Sequence, residues 1–117
     1  MFRSVLEAIR DRVDGTLAVT LIGLDGIPIE TINRDSVPLE TMGAEFGGFI
    51  KTVRASNKDL STGDVLQFSL VTEKYIAFLS AVTGDYYLLL VMRPDGNYGR
   101  ARFELARARH SLRDEID

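Results

Sequence analysis

Apolar residues at Phe2, Val5, Leu6, Ile9 and Val13 recur at three- and four-residue steps, the spacing of one helix face. Gly15 after Asp14 is a stop signal, because glycine enters the left-handed conformation without a Cβ clash. The period then changes to that of strands. Residues 16–24 are rich in β-branched and aliphatic side chains, and Ile27, Ile29 and Thr31 alternate with Pro28 and Glu30. Asp25-Gly26 between these runs predicts a tight hairpin with positive φ at both turn residues. Pro28 lacks an amide donor, which assigns the second strand to a sheet edge.

After a polar linker, in which Asp35 or Ser36 can cap and Pro38 suits a first turn, residues 39–58 read as a helix of about five turns. On 100° steps Leu39, Met42, Phe46, Phe49, Ile50 and Val53 form an apolar face toward the sheet. Gly43 and Gly47 fall beside that face with Arg54, while Ala44, Gly48 and Ala55 line the opposite side with Lys51. Three interior glycines cost about 2–3 kcal/mol of helix propensity relative to alanine. Either another backbone approaches closely and compensates, or the glycines accommodate bulky neighbours; the first reading makes the outer face a contact surface.

Three short strands follow, at 65–72, 75–82 and 86–92, with connections only long enough for an antiparallel meander. The last is apolar on both faces, so it should be central and covered on both sides. Pro94-Asp95-Gly96-Asn97 is a turn, and residues 99–116 form a closing helix with Ala101, Leu105, Ala108, Leu112 and Ile116 on its core stripe. The expected architecture is α+β within a single domain, 1–117. Its order is α-β-β-α-β-β-β-α, and its one five-stranded antiparallel sheet carries helices on both faces.

Composition adds exclusions rather than a function. The 117 residues are 45% hydrophobic and 26% charged with a net charge of −3, which does not suit a dedicated nucleic-acid binder. There is no cysteine and one histidine, so thiolate and most zinc sites are excluded, and no cofactor is expected. No apolar run reaches membrane-spanning length, and charges interrupt the N-terminal apolar residues, so direct membrane insertion is not expected and a cytoplasmic protein is the default.

No nucleophile–base pair, phosphate loop or dinucleotide fingerprint is present, so no enzyme is expected. His110 reads as a surface histidine. Arg100, Arg102, Arg107, Arg109 and Arg113 flank the core stripe of the last helix; solvated flanks explain them most simply, ahead of an acidic protein partner or nucleic acid. Phe103 falls off that stripe and is expected to pack on the first helix, with an exposed partner contact as the other reading.

This order of elements, with Leu24-Asp25-Gly26-Ile27-Pro28-Ile29 at the first hairpin and Met92-Arg93-Pro94-Asp95-Gly96-Asn97-Tyr98-Gly99 leading into the last helix, resembles the roadblock (dynein light-chain type) domains, a roadblock/profilin-like sandwich. The resemblance covers nearly the whole chain. It implies a non-enzymatic module that pairs with itself, or with a paralogous roadblock chain, through the middle helix and the adjacent edge strand. Many such domains bind or regulate small Ras-like GTPases, so a small GTPase is the implied client, expected on the two-helix surface that pairing creates. Carried over by position, the contact would involve Met42, Gly43, Phe46, Gly47, Ile50, Lys51 and Arg54 of the helix, and Val65, Leu66, Phe68 and Leu70 of the strand. The strand run carries neither charge nor proline, so it is an unprotected edge. The alternative is a small-molecule sensor with a pocket under the middle helix, lined by residues such as Phe46, Phe49 and Phe78.

Overall fold

The computed structural model describes residues 2–116. Its elements are α1 (Phe2–Arg12), β1 (Thr16–Gly23), β2 (Pro28–Asn33), α2 (Leu39–Leu60), β3 (Gln67–Val71), β4 (Ile76–Ala81), β5 (Tyr86–Met92) and α3 (Tyr98–Ile116). The strands form one antiparallel sheet in the order β2-β1-β5-β4-β3. β5 is therefore central and Pro28 does lie on an edge strand, both as the sequence predicts.

Two apolar layers sandwich the sheet, and the strict alternation of β5 divides its side chains between them. Leu88, Leu90 and Met92 enter the layer shared with Leu6 and Ile9 of α1 and Leu105 and Leu112 of α3. Tyr87, Leu89 and Val91 enter the layer shared with Leu39, Phe46 and Ile50 of α2. Full burial of each such aliphatic side chain contributes on the order of 1.5–3 kcal/mol, so the two-sided strand anchors both helical layers.

Two turns lock together at one end of the sheet. Gly15 has φ +93, and a Cβ there would lie 2.8 Å from the Cα of Gly96. The Arg93 amide donates to the Gly15 carbonyl at 2.8 Å, joining the turn after α1 to the one before α3.

The hairpin between β1 and β2 differs from the expected tight turn. Gly26 has φ +88, but Asp25 is not at positive φ. The Gly26 amide donates to the Gly23 carbonyl and the Gly23 amide to the Ile27 carbonyl, so Leu24-Asp25-Gly26 makes a three-residue loop. Asp25 Oδ1 accepts from the Ile27 amide at 3.0 Å, an Asx-type bond that holds the aspartate without left-handed geometry.

The entry to α2 also differs. Pro38 precedes the helix, and neither Asp35 nor Ser36 caps it, since no side chain accepts from the first-turn amides. Instead Asn33 clasps the linker, donating to the Val37 carbonyl at 2.7 Å and accepting from the Val37 amide at 2.9 Å. The first meander strand is shorter than 65–72: Val65 and Leu66 precede β3, although the Ala81 amide still donates to the Leu66 carbonyl.

α3 buries Ala101, Leu105, Ala108 and Leu112 as its periodicity predicts. Phe103 does not pack on α1. It is 59% exposed, with the Arg100 guanidinium over its ring at 5.8 Å. The residue that does lie between the helices is Glu104, which is buried and reached by Arg12 of α1 at 3.5 Å, Arg100 at 3.5 Å and Arg107 at 3.7 Å. A carboxylate surrounded by three guanidiniums tolerates burial that a lone charge would not.

Candidate interaction surface

α2 crosses the sheet on glycine. Gly43 and Gly47 are buried, and both face the sheet rather than lying beside the contact. A Cβ on Gly43 would lie 2.6 Å from Ile22 Cδ1, and one on Gly47 would meet the Leu24 carbonyl at 3.4 Å. The close approach that compensates for these glycines is therefore supplied by this chain's own Ile22 side chain and Leu24 carbonyl. Gly48 has open space around its Cα, and nothing in the structure requires glycine there.

Tyr87 fixes the crossing. Its hydroxyl, fully buried, donates to the Gly43 carbonyl at 2.7 Å. Burial pushes its pKa up from 10.0 to about 12, because the phenolate would lose its hydration. The unfolded chain then ionises first as pH rises. The stability this group contributes is intact below pH 10 and is lost between 10 and about 12. Urea denaturation across that range should show the wild type losing stability more steeply than Tyr87→Phe. The variant should also be about 1 kcal/mol less stable at neutral pH, since it leaves the Gly43 carbonyl unpaired.

Glycine toward the sheet turns large apolar side chains outward. Phe49 is 43% exposed instead of facing the sheet, with its ring 5.6 Å from that of Phe46. Met42 and Val53 are half-buried beside it, and Leu60 is exposed at the end of the helix. Lys51 is exposed, as are Ala44, Gly48 and Ala55. Arg54 is half-buried and donates to the Gly84 carbonyl at 2.8 Å.

β3 presents a matching strip. Phe68 stands opposite Leu79 and Leu70 opposite Ala77 across the β3–β4 ladder, and Leu79 and Ala77 belong to the layer under α2. Leu66, Phe68 and Leu70 thus share the α2 face of the sheet; Phe68 is half-buried, and Leu66 and Leu70 are 56% and 39% exposed. Val65 is half-buried and lines a crevice between α2 and β3 with Ile50, Arg54 and Leu66.

The backbone of β3 is also open. The Leu66 carbonyl and the Thr72 amide both bond inward, to Ala81 and Tyr75. Antiparallel ladders alternate, so the amides and carbonyls of Gln67, Ser69 and Val71 point away from β4. The opposite edge is guarded differently. β2 carries Pro28 and Glu30, and Arg3 bonds both Glu30 and the Thr31 carbonyl there. Exposed strand edges invite pairing unless charge or proline protects them, and only β3 lacks both.

Of the residues expected at a contact, Met42, Lys51, Arg54, Val65, Leu66, Phe68 and Leu70 keep accessible surface. Gly43, Phe46, Gly47 and Ile50 are buried. Phe49 was missed because a helical wheel read from large side chains alone cannot register glycines as the inward face, and Leu60 because the expected helix ended at residue 58, two residues short of α2. The pocket under the middle helix does not form as expected. Phe78 lies in the layer of α1 and α3, on the far side of the sheet from Phe46, with its ring 4.8 Å from that of Tyr98. The crevice beside Ile50 measures about 10 Å³, far short of the volume a ligand needs.

Among the described residues, no group of three or more His, Asp or Glu is placed to hold a metal ion. No helix is long and apolar enough to cross a membrane.

No family model matches the chain, and neither does any curated protein. Solved structures do. MglC from Myxococcus xanthus is 32% identical, with 97% of this chain and 98% of that one covered at a TM-score of 0.70. A Roadblock/LC7 domain from Streptomyces avermitilis is 19% identical over 97% of this chain and 95% of that one, with a TM-score of 0.86. The gliding protein MglB from Thermus thermophilus is 18% identical over 97% and 86%, also at 0.86. The shared topology, together with identity over essentially the full length of MglC, decides the matter: the chain belongs to the Roadblock/LC7 domain family.

Proposed function

We propose that this chain is a non-enzymatic module that pairs with a second copy through β3 and α2, and that the pair binds and regulates a small Ras-like GTPase. One observation carries the reading: β3, the unprotected edge of the sheet among the described residues, continues into exposed apolar side chains on the same face as α2. Antiparallel pairing of two β3 strands would satisfy the outward amides and carbonyls of Gln67, Ser69 and Val71. It would also cover Leu66, Phe68 and Leu70 and bring two α2 helices side by side, with Phe49 and Met42 at the seam.

Family membership supports the client. Many roadblock domains bind or regulate small Ras-like GTPases, and membership in that family supports the same non-catalytic role for this chain, in the cytoplasm. The family resemblance leaves a paralogous roadblock chain as the alternative partner in the pair.

Static light scattering at tens of micromolar, an ordinary range for a modest interface, should give twice the 13.0 kDa of one chain. A monomer at that concentration would end the self-pairing reading. Affinity purification from the native cells should recover a small GTPase whose nucleotide hydrolysis or exchange changes when the chain is added. Recovery without any such change would remove the regulatory half of the proposal.

A further inference from the structure

On the other face of the sheet, between α3 and β3, lies an open groove of about 660 Å³. Gln67 and Ser69 form its floor, Tyr98 closes one end, and Arg102, Phe103 and Arg109 line the helical wall. The floor is fixed: the Tyr98 hydroxyl and Ser69 Oγ are 2.8 Å apart, and the Tyr98 ring rests on Phe78.

The charges in this groove are not neutralised from within. Of the arginines on α3, Arg100 and Arg107 are held by Glu104. Arg102 and Arg109 make no ion pair among the described residues, although Arg109 is half-buried. They lie seven residues apart, almost two full turns, so both project from one side of the helix about 10 Å from each other. Phe103, exposed beside Arg102, adds an apolar surface to the same wall. Arg109 also borders a second groove, of about 510 Å³, that contains Arg54. The chain as a whole is acidic, with a net charge of −3, so this is a local concentration of positive charge.

We propose that the α3–β3 groove is a docking site for an extended acidic segment of a partner protein, whose carboxylates pair with Arg102 and Arg109 while an apolar side chain between them covers Phe103. Extended chain advances about 3.3–3.6 Å per residue and alternates its faces. Carboxylates four positions apart therefore point the same way with one side chain between them, at a spacing of roughly 13–14 Å that two flexible guanidiniums can span. A carboxylate accepts two parallel bonds from a guanidinium, which favours arginine over lysine at such a site. The groove lies on the face opposite α2, and the proposal stands whether or not the chain pairs through β3.

The probe is a fluorescein-labelled peptide, Ser-Asp-Glu-Leu-Phe-Asp-Glu-Ser, followed by fluorescence anisotropy. The comparison ligands are its analogue with lysine at every acidic position, an oligothymidine and phosphatidylserine-containing vesicles. Saturable binding of the acidic peptide alone is expected, weakening as salt is raised. The double variant Arg102→Glu with Arg109→Glu should lower affinity about tenfold or more, and Phe103→Ala should lower it less. Circular dichroism and the oligomeric mass should be unchanged in both. Absence of saturable binding, or binding that the double variant leaves intact, overturns the proposal. Arginine-dependent binding of the oligonucleotide or the vesicles in place of the peptide overturns it too.

Discussion

Leu70→Glu is expected to produce a folded monomer. Leu70 is 39% exposed in the single chain and faces only the small side chain of Ala77 across the ladder, so a carboxylate there keeps its water. Pairing of two β3 strands changes that. A two-fold axis brings the substituted positions of both copies into one desolvated apolar strip, where like charges repel and each loses hydration. The dissociation constant should rise about a hundredfold, equivalent to roughly 2.7 kcal/mol. Light scattering over a dilution series gives the mass, and thermal melting of the same samples gives the integrity of the fold. An unchanged dimer would move the contact away from β3; an unfolded monomer would show that Leu70 matters more to this chain's core than its exposure indicates.

Gly43→Leu should have the largest effect on folding itself. The first added carbon already meets Ile22 Cδ1 at 2.6 Å, in a layer where Ile22 is 2% exposed. Ile22 Cδ1 can swing aside for that carbon. The other three carbons of a leucine, entering a closed layer, press α2 away from the sheet and pull the Gly43 carbonyl from the Tyr87 hydroxyl. Overpacking and an orphaned carbonyl together outweigh the gain in helix propensity, for a net loss of about 3 kcal/mol. Gly48→Ala on the same helix should do the opposite. It has open space and no positive φ, so alanine should stabilise by about 0.5–1 kcal/mol. Urea titrations of the two variants measure both signs. Similar effects at both positions would mean that α2 does not rest on its glycines.

The substitutions at Gly43 and Gly48 examine opposite faces of α2, and the faces were only partly legible beforehand. The expected apolar face was centred on Leu39, Met42, Phe46, Phe49, Ile50 and Val53, whereas the buried set is Leu39, Gly43, Phe46, Gly47 and Ile50. The difference amounts to a rotation of roughly 50° about the helix axis. Hydrophobic periodicity weights large side chains, but close packing rewards whatever lets two backbones approach. Two glycines one turn apart offered Ile22 and the Tyr87 hydroxyl a seat that no apolar side chain could. Phe103 and Glu104 show the same limit on α3. A wheel places Phe103 opposite the core stripe and Glu104 only near its edge, and what draws Glu104 into burial is Arg12, which arrives from α1 far away in sequence.

Element order, strand alternation and stop signals, by contrast, are local and were readable along the chain. The all-apolar stretch of β5 announced a central strand, Pro28 an edge, and the uncharged run that includes β3 an open one. These follow from backbone stereochemistry and from period two or 3.6, which neighbours in sequence determine among themselves. Tertiary structure alone decided which arc of α2 meets the sheet, which phenylalanines stay in water, and which arginines on α3 are left without a carboxylate. Each depends on atoms that approach from distant parts of the chain, and packing resolves such competitions by fit rather than by hydrophobicity.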